Sequence, residues 1–417
     1  PIHDQWEDMA AGFIRPDLPT KLLCRKRVLM TTIYADNAAT TEMSPTAIAA
    51  LTDTLRESYA NAASQHRMGQ RAAAALLRAR REIAAALGAE AGEIYFTSGG
   101  TEADNWALVS AAHAGACVGK RHIVTSSVEH HAVLNTLAAL EREGFEVTYL
   151  PVGRDGLVHP EALSAALRED TCLVSIMYAN NELGTVQPVA SLGALCRERN
   201  VVFHTDAVQA VGHIPVDVRR DNVDMLSLSA HKFHGPKGTG ALYCRRGAPL
   251  EPLMHGGAQE RNMRPGTSDV PSAAAMAAAL CECCAGMEET MRRVTALRDA
   301  LIAEVTAHIP GAHVNCAASP RLPGIISLRF DGVDNETLLM RLDLAGICCS
   351  AGAACTAGAM GTSHVLCAVG LGREEARGTL RISLGAYNTA DDIGRIAAEL
   401  ERSVSALRGT WKGESGT

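Results

Sequence analysis

The sequence predicts an α/β fold: a large, mostly parallel sheet domain followed by a smaller α+β domain. Three observations carry this reading. Seven short runs rich in β-branched and apolar residues recur between positions 93 and 245. Helical stretches separate most of them, which is the alternation of a parallel sheet covered on both faces. Beyond about Pro271 the alternation gives way to a long helical stretch and a few isolated strands.

The elements follow in order. Residues 1–29, PIHDQWEDMAAGFIRPDLPTKLLCRKRVL, show no clear periodicity and lack the ordered basic, apolar and small-residue regions of a signal peptide. Organisation begins near Met30. The strand runs are EIYFTS (93–98), RHIVTSS (121–127), EVTYLPV (146–152), TCLVSIMYA (171–179), VVFHTDA (201–207), DMLSLSA (224–230) and TGALYCR (239–245). TEADNWALVSAAH, HHAVLNTLAALEREG and VASLGALCRERN read as intervening helices. Only a short turn separates the last two strands, so one of them is expected to run antiparallel. SAAAMAAALCECCAGMEETMRRVTALRDALIAEVTAHI reads as one long helical stretch; GIISLRF and GTLRISLGAY are later strands, and a final helix closes the chain.

Bulk properties narrow the function. A chain of 417 residues with 47% hydrophobic and 20% charged residues can bury a large core. A net charge of −7 argues against a nucleic-acid partner, which favours a basic face. No apolar run reaches the roughly 18 residues that suggest a membrane span. Thirteen cysteines without a regular framework read as reduced thiols, hence a cytoplasmic setting.

The chemistry lies at strand ends, where open α/β sheets gather ligands. In TSGGTEADN, Gly99, Gly100 and Thr101 end a strand and open a helix, which suits a phosphate; alone, this is also an ordinary turn with a capping threonine. In HTDAVQAVG, Asp206 ends what reads as a next-to-central strand, with Gln209 beyond it; alone, Asp206 is also a helix N-cap. In SLSAHKFHGPKG, Lys232 stands where an apolar strand meets a glycine-rich turn. Lys237, inside that turn, reads as a solvated loop lysine. A phosphate seat, an acid and an amine on neighbouring strand ends are together what pyridoxal 5'-phosphate requires. CECC (Cys281, Cys283, Cys284) lacks zinc spacing and reads as small core residues. Adjacent His130 and His131 would point about 100° apart on a helix, a poor pair for one ion.

From about Thr32 to Arg408 the chain resembles the cysteine desulfurases, which belong to the fold type I pyridoxal-phosphate enzymes. The motifs are YADNAATT, TSGGTEADN, SSVEHHAVL, MYANNELGTVQP, HTDAVQAVG, SAHKFHGPKGTGALY, HGGAQERNMRPGT, CSAGAACTAG and LRISLGAY. The resemblance implies a role at each matching position. Lys232 would link covalently to the cofactor. Asp206 would pair with its ring nitrogen, Gln209 would bond its phenolic oxygen, and His130 would stack on the ring and move protons. Gly100, Thr101, Ser229 and His231 would hold the phosphate. Thr267 would reach the phosphate of a neighbouring subunit, making a homodimer part of the site. Asn181 and Arg381 would bind the substrate carboxylate, with Asn61 as a further candidate; NAAS at Asn61 departs from the usual Asn-Pro-Ser-Ser. Cys355 would be the nucleophile that becomes a persulfide, while Cys348 and Cys349 read as structural.

On this basis residues 1–29 are an unmatched extension, 30–45 join the small domain, 46–280 form the large cofactor-binding domain, and 281–417 form the small domain with its cysteine loop. The implied reaction converts L-cysteine to L-alanine and passes sulfur to an acceptor protein such as an iron–sulfur scaffold. Selenocysteine lyase, class-V aminotransferase and inactive scaffold are the rival readings.

Overall fold

A computed structural model describes residues 32–351 and 362–414. It opens with β1 (Ile33–Tyr34), α1 (Pro45–Glu57) and α2 (Arg67–Ala86). The start of α1 is set locally: Ser44 Oγ accepts the Ala47 amide at 3.1 Å and Pro45 occupies the first turn.

Each of the seven predicted runs is a strand: β2 (Ile94–Thr97), β3 (His122–Ser126), β4 (Glu146–Leu150), β5 (Thr171–Ser175), β6 (Val202–Asp206), β7 (Met225–Ser229) and β8 (Gly240–Cys244). Their order across the sheet is β2-β8-β7-β6-β5-β3-β4. β3, β5, β7 and β8 are buried along their whole length, as strands covered on both faces must be, whereas edge strand β4 is half exposed. β8 runs antiparallel to both β7 and β2, since the connection from β7 is too short for a crossover. By inserting between β2 and β7, β8 moves the centre of the sheet: β6, expected beside the central strand, is itself the fourth of seven. The covering helices include α3 (Gly100–Cys117), α4 (His131–Arg142), α5 (Pro160–Ala166) and α6 (Val189–Glu198).

The long helical stretch is not one helix. α7 (Val270–Ala285) and α8 (Met287–His308) meet at Gly286 with a bend of 72°. Glycine is a weak helix former, and the two halves have different partners. The alanine-rich α7 lies against α1 and α2, while the charged α8 lies against the terminal helix. A second sheet places β10 (Ile325–Phe330) between β9 (Ala312–Val314) and β12 (Thr379–Ser383), all antiparallel. β1 pairs in parallel with β11 (Ile347–Cys348). The helices there are α9 (Asn335–Leu344), α10 (His364–Ala368), α11 (Arg373–Arg377) and α12 (Ala390–Glu414). The β1 pairing carries the next residues across the molecule: the Asn37 amide reaches Ser383 O at 3.1 Å, and the Ala38 amide reaches Ser383 Oγ at 2.9 Å.

Candidate active site

Lys232 does not end a strand. β7 stops at Ser229, and a single 3₁₀ turn, Ala230–Lys232, sets the side chain aside from the sheet. The turn is closed on itself, with the Ala230 amide on Thr239 O at 3.0 Å and the Gly235 amide on Ala230 O at 2.9 Å. Lys232 Nζ donates to the carbonyls of Ala38 (2.6 Å) and Ala39 (2.9 Å). The neighbouring backbone is stitched to the same segment: Thr41 donates to His231 O through both its amide and its hydroxyl, each at 2.9 Å. His213 Nε2 holds the Lys232 carbonyl at 2.8 Å, and burial pushes that imidazole down to about 4, which keeps it neutral.

Asp206 is the last residue of β6 and only 5% exposed. Its Oδ1 accepts the Val208 amide at 2.9 Å. Burial pushes its carboxyl up, against the opposing pull of His130 and Lys232. Three further buried carboxyls line the same cavity, Asp104, Glu129 and Glu182, and motif reading assigns none of them. Asp104, in the second turn of α3, is 1% exposed, and its Oδ1 has no hydrogen-bond partner among the described residues. Glu129 is 0% exposed: Oε1 accepts Ser126 Oγ at 2.6 Å and the Met177 amide at 2.9 Å, while Oε2 has no partner among the described residues. Burial pushes Glu129 up to about 8. His204, bonded by Ser175 Oγ (2.9 Å) and Ser227 Oγ (3.0 Å), lies beneath; burial pushes it down to about 3.

The expected phosphate seat is a place of close approach. A Cβ on Gly100 would lie 2.5 Å from Val208 Cγ2, and one on Gly240 would lie 2.6 Å from Gly99 Cα. Thr97 Oγ1 fixes Gly99 O at 3.0 Å, and α3 starts at Gly100 with its first amides pointing outward. His231 Nδ1 lies 3.1 Å from Thr40 Oγ1.

A cavity of about 320 Å³ brings together Gly100, Thr101, His130, Asn181, Asp206, Gln209, Ser229, His231, Lys232 and Arg381. His130 is the N-cap of α4: its Nδ1 accepts the Ala132 amide at 3.1 Å, which leaves the proton of the neutral ring on Nε2. Arg381, on β12, donates to Asn181 O (2.9 Å) and pairs with Asp36 (2.7 Å). Gln209 Nε2 donates to Ala38 O at 2.9 Å.

Not every expected residue joins them. Asn61 is exposed, accepts the Ala63 amide at 2.9 Å, and does not line this cavity. Thr267 is exposed in a separate cleft of about 100 Å³ with Ser98, Gly238 and Arg264. Cys355 lies outside the described residues. The flanks of its segment are held at the cavity wall: Ser350 exchanges backbone bonds with Arg381 (3.1 and 2.6 Å), Ser363 Oγ donates to Glu182 at 2.6 Å, and His364 Nε2 to Glu129 O at 2.9 Å. Burial pushes the Cys349 and Cys283 thiols up to about 12, so both are protonated.

Residues 33–396 match the family model for class-V aminotransferases. Over 376 residues the chain is 47% identical to cysteine desulfurase IscS of Methanosarcina thermophila, covering 90% of this chain and 93% of that one. It is 43% identical over 379 residues to a cysteine desulfurase of Nostoc sp., covering 91% and 94%. Among solved structures, a NifS-like protein superposes with a TM-score of 0.85 at 39% identity, covering 90% of this chain and 100% of that one. DndA from Streptomyces lividans superposes at 0.72 with 38% identity, covering 84% and 99%. The family model places the chain in the class-V aminotransferase family. Within that class, the chain belongs to the cysteine desulfurase family.

Proposed function

We propose that the protein binds pyridoxal 5'-phosphate and converts L-cysteine to L-alanine, with Cys355 taking the sulfur as a persulfide for an acceptor protein. The observation that carries this reading is Lys232 and Asp206, just past and at the ends of adjoining strands, facing one cavity beside a glycine-built seat. These residues fit the cofactor. A side chain at position 100 would fill the seat, the buried Asp206 carboxyl suits a protonated ring nitrogen, and the Lys232 amine sits within the same walls.

When bound, the cofactor supplies an electron sink for bonds at the substrate α-carbon. Gly100, Thr101, Ser229 and His231 would hold its phosphate, and Thr267 would reach the phosphate held by a partner subunit in a homodimer. Gln209 would bond its phenolic oxygen, and the His130 ring would pack against its pyridine. Asn181 and Arg381 orient the cysteine carboxylate. Lys232 Nζ, drawn off the Ala38 and Ala39 carbonyls, takes the Cα proton. The Cys355 thiolate would attack the substrate Sγ; the Cβ–S bond would break with its electron pair left on carbon, protonation at Cβ and Cα would complete alanine, and the sulfur would stay on Cys355 as the persulfide. An iron–sulfur scaffold protein is the kind of acceptor this chemistry serves, in a cytoplasmic setting.

Two variants test the reading. Lys232→Ala should lose the visible band that borohydride removes from the wild type. Cys355→Ala should keep the band and lose sulfide release in the presence of a thiol reductant. Normal sulfide release by Cys355→Ala overturns the sulfur assignment, and failure of the wild-type protein to take up the cofactor overturns the whole reading.

A further inference from the structure

We propose that Lys237 is the cation that faces the cofactor phosphate, on a seat otherwise built from neutral groups; the inference rests on the cofactor reading above. The seat opens into a second cavity, whose lining includes Gly100, Thr101, Ser229 and Lys237. Lys237 is the one lysine or arginine among its lining residues.

The charge balance makes that position matter. The amides that open α3 and the hydroxyls of Thr101 and Ser229 bring partial charges only. His231 starts neutral: burial, with Lys232 and Lys237 nearby, pushes it down to about 4. Glu102, the acid of this cavity, is already matched, with Oε1 on Arg264 at 2.9 Å and Oε2 on the Ser98 amide at 2.7 Å. A phosphate dianion seated here meets one full positive charge on this wall, that of Lys237.

The backbone presents the side chain firmly. Pro236 precedes it, and Gly238 follows at φ +73°, a left-handed conformation that glycine adopts without strain. The Ala230–Thr239 and Gly235–Ala230 bonds close the loop beneath it. Its motif position alone reads as solvent-facing, and Lys237 is indeed exposed, so its pull on an anion is open to screening by salt.

The test is a titration of apoprotein with pyridoxal 5'-phosphate and, separately, with pyridoxal, which lacks the phosphate, followed by the absorbance of the bound chromophore. K237Q should weaken uptake of the phosphorylated form by about tenfold, as for a loss of one charge-assisted contact. It should leave pyridoxal within about twofold, and K237R should restore most of the loss. Inorganic phosphate should compete about tenfold less well in K237Q than in the wild type. Unchanged uptake of the phosphorylated form by K237Q overturns the proposal, as does equal weakening of both forms, which marks a packing role. Uptake of neither form by the wild type overturns the cofactor reading itself, and the assignment of Lys237 with it.

Discussion

Lys232 and Gln209 hang from one oxygen: the Ala38 carbonyl accepts Lys232 Nζ at 2.6 Å and Gln209 Nε2 at 2.9 Å. A backbone carbonyl from the start of the chain therefore sets where the amine rests and how the amide points. Gln209→Leu leaves that carbonyl to the lysine alone. One buried hydrogen bond is worth about 1 kcal/mol net, so the apoprotein should lose about that much unfolding free energy, read as a lower urea midpoint. The loaded protein should also show a shifted visible band. An unchanged urea midpoint and an unchanged spectrum would refute the role given to Gln209.

Glu129 gives a pH signature. Its carboxyl is raised from the ordinary 4.5 to about 8, so the folded protein keeps a proton that the unfolded chain has lost. The folded state binds more protons than the unfolded state between those values. Stability should therefore fall as pH rises through that window, by up to about 1.4 kcal/mol per pH unit, and level off above it. Glu129→Gln keeps an acceptor for Ser126 and Met177 and removes the titration. Denaturant midpoints of this variant should show a shallower slope between pH 5 and 8 than the wild type, on the order of the same linkage. Equal slopes would show that Glu129 does not carry the proton.

Gly100→Ala places a methyl group 2.5 Å from Val208 Cγ2, closer than real Cβ contacts allow. Overpacking of this kind costs about 1–3 kcal/mol. It also displaces the helix start that forms the seat, so cofactor uptake should weaken by about tenfold or more. Adding Val208→Ala makes room and should recover most of both losses. A double variant as impaired as the single would place the fault elsewhere.

Arg80 and Glu260 form a buried ion pair at 2.5 Å, with side chains 8% and 5% exposed. Glu260 also takes the Phe96 amide at 3.1 Å, and Arg80 donates to Ile94 O at 2.6 Å. Glu260→Gln leaves a buried guanidinium without its counter-charge, which costs about 3–5 kcal/mol. Chemical denaturation should read that loss, and Arg80→Met combined with Glu260→Gln should cost less than the sum of the two single changes. Glu260 is held at φ +45°, with Arg261 at +61° and Asn262 at +68°, so the pair anchors a backbone that non-glycine residues seldom adopt.

The seven strands of the main sheet were legible because each is a short apolar run bounded by turn residues, and burial on both faces demands such runs. Asp206 and Lys232 were legible by their places next to strand ends. The position of β6 was not, because sequence order says nothing of where a hairpin partner such as β8 inserts. Nor was the break at Gly286, since alanine and charged heptads both read as helix and the change of packing partner leaves little periodic signal. Asp104 and Glu129 carry no such signal, because an acid near a helix start looks like an ordinary cap until burial is known. The Ala38 and Ala39 carbonyls carry no residue signature at all. Lys237 hides for the opposite reason: a lysine between proline and glycine looks like solvent-facing punctuation until the residues lining its cavity are known.

The union of Asp36 with Arg381 spans 345 positions, and that of Asn37 with Ser383 spans 346. The main sheet is complete by Cys244, yet the residues that brace the resting amine wait for a strand made more than a hundred residues later. Such distant closures are slow relative to local ones. The strands of the main sheet can thus pair well before the Lys232 amine is braced in its resting place.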